Sequence, residues 1–492
     1  MPIWPFRKKE KKPAAVRATG FSAADYSRLT QSLDMESDHI MRILRQQGKA
    51  LRARSRQVAM NTPYGAKFVQ MCVNNIDGPT PFKLQSKIKY NSGKLDKTAN
   101  ETIEKEYKEW GKPGNCDLEG RLSWADMQRL ITRTLAVDGE VLIRKFQGTS
   151  AGPWGLQYQL IDVDRLDDQY NEELPGGNVV INGVEVDPQG RIVAYHLLKR
   201  KPKDWYLGVA REYLRIPADQ IIHKFIPMFA EQVRGVPWMF AALLELHRIG
   251  KFEEAALIAA QVGAAKMGFY QKRDMGSGFG APDGATKNRN GDFVQSAEPG
   301  EFGIVPDGYE FKEHNPNYPD AQVGPFLKSA LRGVASGLNV AYHSLGNDLE
   351  SVNFSAARAG VLEEREQWMS LQNWKIEHLM EPAYSDWLLN SLLMRRLPYS
   401  LDRLDKFRSV IFQPRRWQWV DPKKDAEANV IAINNGLKSR SQIISETGGD
   451  IEDVFDQLRI EQDMAADAGI NIKSGNNAVN GGQDNAEDDN EE

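Results

Sequence analysis

Apolar residues recur at spacings of three and four over residues 320 to 394, and this pattern predicts two helices joined by a loop. In the first, Phe326, Leu327, Leu331, Val334 and Leu338 share a face that ends near Asn339. The second carries Val361, Leu362, Trp368, Met369, Leu371, Ile376 and Leu379 in one register from Ser355, with no proline before Pro382. Residues 355 to 381 alone would make a rod of about 40 Å. Between the helices, Gly346, Asn347 and Asp348 favour turns, while Tyr342, Leu345 and Phe354 offer apolar anchors at the ends. A short loop held between two long helices is displayed at a defined height, which suits a part that touches something passing by.

The remaining pattern is helical, then stranded, then helical again. A helix from Asp34 carries Met41, Ile43 and Leu44, then a basic run of Arg42, Arg45, Lys49, Arg52, Arg54 and Arg56, and Asn61-Thr62-Pro63 ends it and opens the next helix. The basic run has two readings, a phosphate contact or the wet face of an amphipathic helix. Helices are expected over 98 to 110 and 123 to 137, the latter capped by Ser123. Four runs, EVLIRKF, GLQYQLIDV, NVVINGVEV and RIVAYHLL, then read as antiparallel strands covering about 139 to 226, with tight turns at Asn182-Gly183 and Gln189-Gly190. Helix resumes from Arg234 over a small-residue surface of Ala255, Ala256, Ala259, Ala260, Gly263, Ala264 and Gly268, which permits close approach of another helix. Residues 274 to 319 are Gly-rich with short strand-like pieces and should protrude as a small lobe. Strands flanked by helices make the class α+β.

Composition narrows the chemistry. Lys and Arg number 63 against 67 Asp and Glu, a net charge of -4, so any contact with nucleic acid is local. The two cysteines, Cys72 and Cys116, argue against a disulfide framework and fit free thiols in a reducing compartment. The basic N-terminus has no apolar core behind it and does not read as a secretory signal; the most apolar window, 255 to 270, is too short to span a bilayer. A soluble intracellular protein with no membrane contact is the expectation. The letters GTSAG at 148 to 152 match a nucleophile elbow, but Pro153, Trp154 and Gly155 lead into another strand where the elbow needs a helix, so a hairpin loop explains them. Asp162, Asp164, Asp167 and Asp168 form an acidic cluster that could hold Mg²⁺ or simply line a strand end. Scattered histidines, no zinc spacing, no P-loop and no dinucleotide fingerprint at GSGFGA (276 to 281) complete the search. No catalytic residue, cofactor or metal is expected.

Three separated blocks then carry a family likeness: VRGVPWMFAALLELHRIGKFEEAALIAAQVGAAKMGFY at 233 to 270, NDLESVNFSAARAGVLEER at 347 to 365, and WQWVDPKKDAEANVIAINNGLKSRSQIISETGGD at 417 to 450. In order, they resemble the lambda-type portal proteins of tailed phages, with the likeness spread over about 35 to 465. The resemblance implies a portal fold: a flexible basic arm (1 to 34), an α/β wing (35 to 234), a first stem helix (235 to 273), a clip (274 to 319) and a second stem helix (320 to 339). A tunnel loop (340 to 357), a long wing helix with a return strand (358 to 420), a helical crown (421 to 465) and a disordered acidic tail (466 to 492) follow. It also implies a homo-oligomeric ring, usually of twelve, at one capsid vertex of the virion, through which double-stranded DNA is packaged and ejected. The large terminase subunit, the major capsid and scaffold proteins and the head-tail connectors would be its partners. On this resemblance Asn347, Asp348, Leu349 and Glu350 face the duplex, while Lys328 and Arg332 either form a sparse positive ring or pair with carboxylates of neighbouring subunits. Two alternatives stand beside it: another head-neck connector or adaptor ring, and a metal-dependent nuclease using the acidic cluster.

Overall fold

The computed structural model describes residues 38–80, 82–90, 92–199, 212–264, 322–348, 354–417 and 422–467, with the backbone of four short strands between 268 and 313. The N-terminal arm, most of 274–319, the acidic tail beyond 467, and Leu349 and Glu350 lie outside the described residues.

Helices α1 (Ile40–Asn61) and α2 (Pro63–Ile76) meet at Thr62, whose hydroxyl accepts from Gly65 N at 3.2 Å and donates to Val58 O at 2.8 Å. Pro63 stands in the first turn of α2, where its missing N–H has no intrahelical acceptor to lose. After strand β1 (Lys83–Ser86) come α3 (Lys97–Trp110) and α4 (Trp124–Asp138). Ser123 and Asp126 form a reciprocal capping box at the start of α4, and Gly139 ends it in the left-handed region at φ 85°. Only glycine fits there, since a Cβ would strike the carbonyl carbon of Val236.

Two antiparallel sheets follow. β2 (Glu140–Gln147) lies between β3 (Leu156–Ile161) and β9 (Ile221–Phe225). A second sheet runs in sequence order through β4 (Glu172–Glu173), β5 (Val179–Ile181), β6 (Val184–Val186), β7 (Ile192–Leu198) and β8 (Tyr213–Pro217), with Asn182 at φ 50° and Gly183 at φ 85° turning β5 into β6. The GTSAG segment is the β2–β3 hairpin loop, in which Gly148 N donates to Gly155 O at 3.0 Å.

The helix expected over 235–273 is shorter at both ends. It is α5 (Leu243–Ala264). At its start, Gly235 and Val236 cross the Gly139 backbone so closely that residues 235–242 are held in an extended and turned path, with Trp238 N donating to Ala136 O at 3.1 Å. After it in sequence comes β10 (Gly268–Lys272), which pairs antiparallel with β13 (Tyr309–Glu313), as β11 (Thr286–Lys287) does with β12 (Phe293–Val294). Helix α6 (Val323–Gly337) closes with Asn339 at φ 54° and Val340 N bonded back to Ala335 O at 3.0 Å. A one-turn helix α7 (Tyr342–Gly346) occupies the expected loop, and α8 (Phe354–Lys375) follows.

The long rod does not stop at Pro382. A π turn, Ile376–Met380, joins α8 to α9 (Glu381–Leu393), and Glu381 N reaches back to Ile376 O. The wider turn resets the register, so the amide that Pro382 lacks falls in the first turn of the new helix. Beyond it lie α10 (Leu404–Phe407), β14 (Val410–Gln413), which pairs with β1, and helices α11 (Pro422–Asn434), α12 (Arg440–Glu446) and α13 (Ile451–Asp467). Ser439 and Gln442 form the capping box of α12 that their spacing predicts.

The main core is locked by aromatic side chains from four elements. Tyr107 meets Trp387 edge-on at 5.0 Å, Trp110 lies 5.4 Å from Trp124, and Trp124 lies 5.6 Å from Tyr158. Two polar tips in this cluster are satisfied, Trp110 Nε1 by Leu156 O at 2.9 Å and that of the neighbouring Tyr384 by Phe407 O at 2.8 Å, whereas Tyr107 OH, Trp124 Nε1 and Trp387 Nε1 are buried without a hydrogen-bond partner among the described residues. Cys72 and Cys116 are both buried free thiols, and burial pushes Cys116 up to about 12. No helix among the described residues is long and apolar enough to cross a membrane.

Candidate functional site

The displayed loop is tied down on both sides of its tip. Leu345 is buried and anchors α7, and Asn347, at φ 52°, ends that helix in the left-handed conformation that asparagine tolerates. Lys67 Nζ, on α2, donates to Asn347 Oδ1 at 3.1 Å. Lys328 Nζ, on α6, reaches Asp348 Oδ2 at 2.8 Å, and the Tyr342 hydroxyl donates to the same oxygen at 2.9 Å. Arg332, one turn beyond Lys328, lies over the Tyr342 ring at 5.4 Å. The carboxylate that Lys328 meets therefore belongs to its own chain. On the far side, Ser344 Oγ donates to Glu364 Oε2 at 2.7 Å, and Trp368 Nε1 holds the other oxygen of Glu364 at 3.1 Å.

The basic run of α1 and the acidic cluster after β3 are two halves of one structure. Arg52, 3% exposed, places Nη2 2.5 Å from Asp168 Oδ2 and Nε 3.1 Å from Asp164 Oδ1. One turn on, Arg56 reaches Asp138 Oδ1 at 2.7 Å, Asp162 Oδ1 at 2.9 Å and Asp164 Oδ2 at 2.7 Å. Arg234 completes the group, 2.7 Å from Asp168 Oδ1 and 2.7 Å from Glu140 Oε1, and the second Glu140 oxygen takes His223 Nε2 at 3.0 Å and Gly235 N at 2.8 Å. Burial alone would raise Glu140, but Arg234 and His223 outweigh it and hold the carboxyl well below its usual range. Burial likewise opposes the Arg52 charge, and Glu140, Asp168 and Asp164 more than restore it.

Arg42, Arg45, Lys49 and Arg54 lie exposed, as the wet-face reading of the basic run expects, but Arg52 and Arg56 do not follow it. Arg52 and Arg56 are partners of carboxylates within the chain, so they are neither a phosphate contact nor a wet face. The acidic cluster is closed by guanidiniums where a metal would have to sit, and among the described residues no group of three His, Cys, Asp or Glu side chains is placed to hold one. Asp167, the remaining member, accepts from Tyr213 OH at 2.7 Å.

A second buried charge lies at the junction of the long rod. Lys375, the last residue of α8, is 1% exposed and bonds Asp77, Gln128 O at 2.8 Å and Thr132 Oγ1 at 2.8 Å. Burial lowers its pKa despite Asp77. The sequence showed no sign of this pair, because a lone lysine in a helix rich in Glu reads as surface.

Comparison with known proteins gives three findings. A family model described as phage portal protein, lambda family, matches residues 26–372. A probable portal protein of Halomonas phage phiHAP-1 is 33% identical over 460 residues, 92% of this chain and 88% of the relative, and the portal protein of Escherichia phage N15 is 21% identical over 462 residues, 85% of each. Among solved structures, the neck of an empty GTA particle matches with a TM-score of 0.43 at 13% identity, covering 82% of this chain and 93% of that one. An HK97 family phage portal protein from Corynebacterium diphtheriae matches with a TM-score of 0.33 at 14% identity, covering 76% and 98%.

Proposed function

The chain belongs to the lambda family of phage portal proteins, and from that premise we propose that twelve copies close around a channel for double-stranded DNA, with the loop between α6 and α8 at its constriction. As a member of that family it is a structural, non-enzymatic part of the virion, an oligomeric ring at the capsid vertex, which sets aside the nuclease and the other connector.

The observation that carries the channel reading is the loop tip. Asn347 and Asp348 are gripped from α2 and α6 by Lys67 and Lys328, so they are held at a set position, with Asn347 exposed and Asp348 half-buried. Asn347 and Asp348, with Leu349 and Glu350 beyond them, face the duplex in this reading. Lys328 and Arg332 form a sparse positive row behind the tip, with Asp348 offsetting the charge at Lys328. Duplex DNA carries a negative charge about every 1.7 Å, so a strongly basic lining would bind it tightly and stall it, and a locally offset one lets it slide.

The ring reading draws support from apolar side chains that a single copy leaves open. Leu257 and Ile258 on α5 are 65% and 54% exposed, and Phe326 on α6 is 57% exposed while still touching Phe252 at 5.2 Å between centroids. Neighbouring copies packed side by side along these two helices would cover them. In this arrangement residues 35–234 form the wing, 274–319 the clip and 421–465 the crown. The clip would meet the large terminase subunit during packaging and the head-tail connectors afterwards, and the outer surface the major capsid and scaffold proteins. Replacing Lys328 and Arg332 together by Ala tests the loop assignment through in vitro packaging. Altered translocation is expected, and normal packaging would discard the positive row.

A further inference from the structure

Trp417 stands beside two guanidiniums that form no ion pair with a carboxylate among the described residues. The Arg365 guanidinium carbon, on α8, lies 5.7 Å from the indole centroid, and that of Arg415 lies 5.5 Å from the same ring. The platform is pinned from below, since Trp417 Nε1 donates to Asn75 Oδ1 at 3.2 Å while Arg415 Nη1 donates to the same oxygen at 2.9 Å and to Asn74 O at 2.5 Å. All three side chains are half-buried. Among the described residues neither arginine forms an ion pair, and Arg365 Nε is buried with no hydrogen-bond partner. Arg416, whose stem lies beside the turn at Gly448, also has a buried, unpartnered Nε and adds to the local positive charge.

This departs from the Arg52, Arg56 and Arg234 groups described above. Arg52 and Arg56 are each met by several carboxylates, whereas burial holds Arg365, Arg415 and Arg416 below the ordinary arginine value, and Arg415 lowers Arg365 further. Asp425 raises Arg365 without outweighing burial and Arg415, and Glu446, which acts on Arg416, is itself held by Lys438 at 2.9 Å. A desolvated cation without a counter-ion is costly, and an arriving anion removes that cost.

We propose that Arg365, Arg415 and Trp417 form a binding site for a phosphate-type oxyanion, and that its ligand is the backbone phosphate of DNA. Guanidinium forks match tetrahedral oxyanions through paired N–H donors and are weakly hydrated, so they bind such groups from a half-buried position where an ammonium would not. The assignment of DNA as the source rests on the channel reading above; the oxyanion site does not. The indole lies against both forks, its bond to Asn75 fixes the ring, and the bonds of Arg415 to Asn74 and Asn75 fix that fork.

The test uses the full assembled protein. Binding of inorganic phosphate is measured by calorimetry, and binding of a labelled 20-base-pair duplex by anisotropy across a KCl series. Arg365→Gln leaves the Asn74 and Asn75 bonds intact, and it is expected to weaken phosphate at least tenfold and to lower the slope of log affinity against log salt by about one for each DNA phosphate no longer neutralised. Arg365→Lys is expected to keep the salt slope while losing phosphate affinity, because the charge remains and the fork does not. Weaker phosphate binding with unchanged duplex binding overturns DNA as the source. Unchanged binding of both, with the ring intact, overturns the site, and so does loss of ring assembly with both affinities unchanged per folded chain, which would assign the arginines to a neighbouring copy. A wild-type chain that forms no ring is a failure of the channel reading instead, and phosphate binding by that chain would leave the oxyanion site standing.

Discussion

Arg52 and Asp168, 116 residues apart in the chain, meet at 2.5 Å with both side chains almost wholly buried. The pair joins α1 to the segment after β3, and Arg234 and Glu140 extend it to the chain entering α5. Removing one partner of a buried pair strands the other without solvent or counter-charge, which costs about 3–5 kcal/mol. Arg52→Ala is therefore expected to lower the urea midpoint by an amount of that size. Arg54→Ala, on the exposed side of the same helix, is expected to change stability by no more than about 0.5 kcal/mol. Equal effects of the two would remove the network from the account of the fold.

Acid should loosen this region from its carboxylates. Glu185 is held at about 2 by its hydrogen bond to Arg215, against the opposing effect of burial and with help from Asn178 and His196, and Glu140 is also held well below its usual range. A depressed folded value means the unfolded chain takes up protons first. The contribution is full above the ordinary glutamate value near 4.5 and is lost as pH falls toward about 2. Thermal unfolding between pH 6 and pH 2.5 is expected to show a falling midpoint below about pH 4.5, and Glu185→Gln is expected to flatten part of that fall. A midpoint independent of pH in that window would contradict the assignment.

Lys375 and Asp77 present a separable case. Lys375→Met leaves Asp77 buried and unpaired and is expected to destabilise by about 3–5 kcal/mol, whereas Lys375→Met with Asp77→Leu is expected to recover most of the loss, since a buried pair replaced by apolar groups is often neutral. Chemical denaturation of the four members of the cycle measures this. Additive losses would show that the two side chains do not act on each other.

The loop latch is more exposed and correspondingly weaker. Lys328 is 39% exposed and Asp348 13%, so a double-mutant cycle is expected to give a coupling of no more than about 1 kcal/mol, decreasing with added salt. Its larger effect is expected in function: Asp348→Asn should free Lys328 toward DNA and slow translocation, and Asp348→Asn with Lys328→Gln should restore it. Single-molecule packaging rates decide between these outcomes, and an unchanged rate in Asp348→Asn would separate the latch from DNA passage.

Local signals in the sequence carried much of the secondary structure. Ser123 before α4, Ser439 with Gln442 at α12, Thr62-Pro63 between α1 and α2, and Asn182-Gly183 between β5 and β6 each act within a few residues, so their chemistry is visible in a short window. The charge network was not visible. Arg52 and Arg56 look like an exposed stripe until their partners, more than 100 residues away for Asp164 and Asp168, are known. A usable hint lay in Gly48, Ser55 and Ala59, small residues on the same face as the two arginines, which mark a face against which something packs closely. The late start of α5 was hidden for a related reason: the Gly235–Gly139 crossing is a contact between distant backbones, and no periodicity in either segment reports it. The π turn escaped because Pro382 reads as a stop unless the preceding turn is already widened. At the loop, the turn residues and the anchors Tyr342 and Leu345 were legible, but the grip of Lys67 on Asn347 and of Lys328 on Asp348 depends on α2 and α6 meeting there.

The claim that these copies close around DNA is tested most directly by imaging the purified full chain in negative stain while determining its native mass. A closed ring of about twelve copies, with a central opening that admits duplex DNA, is the predicted result. A compact monomer or dimer at every salt concentration would contradict it.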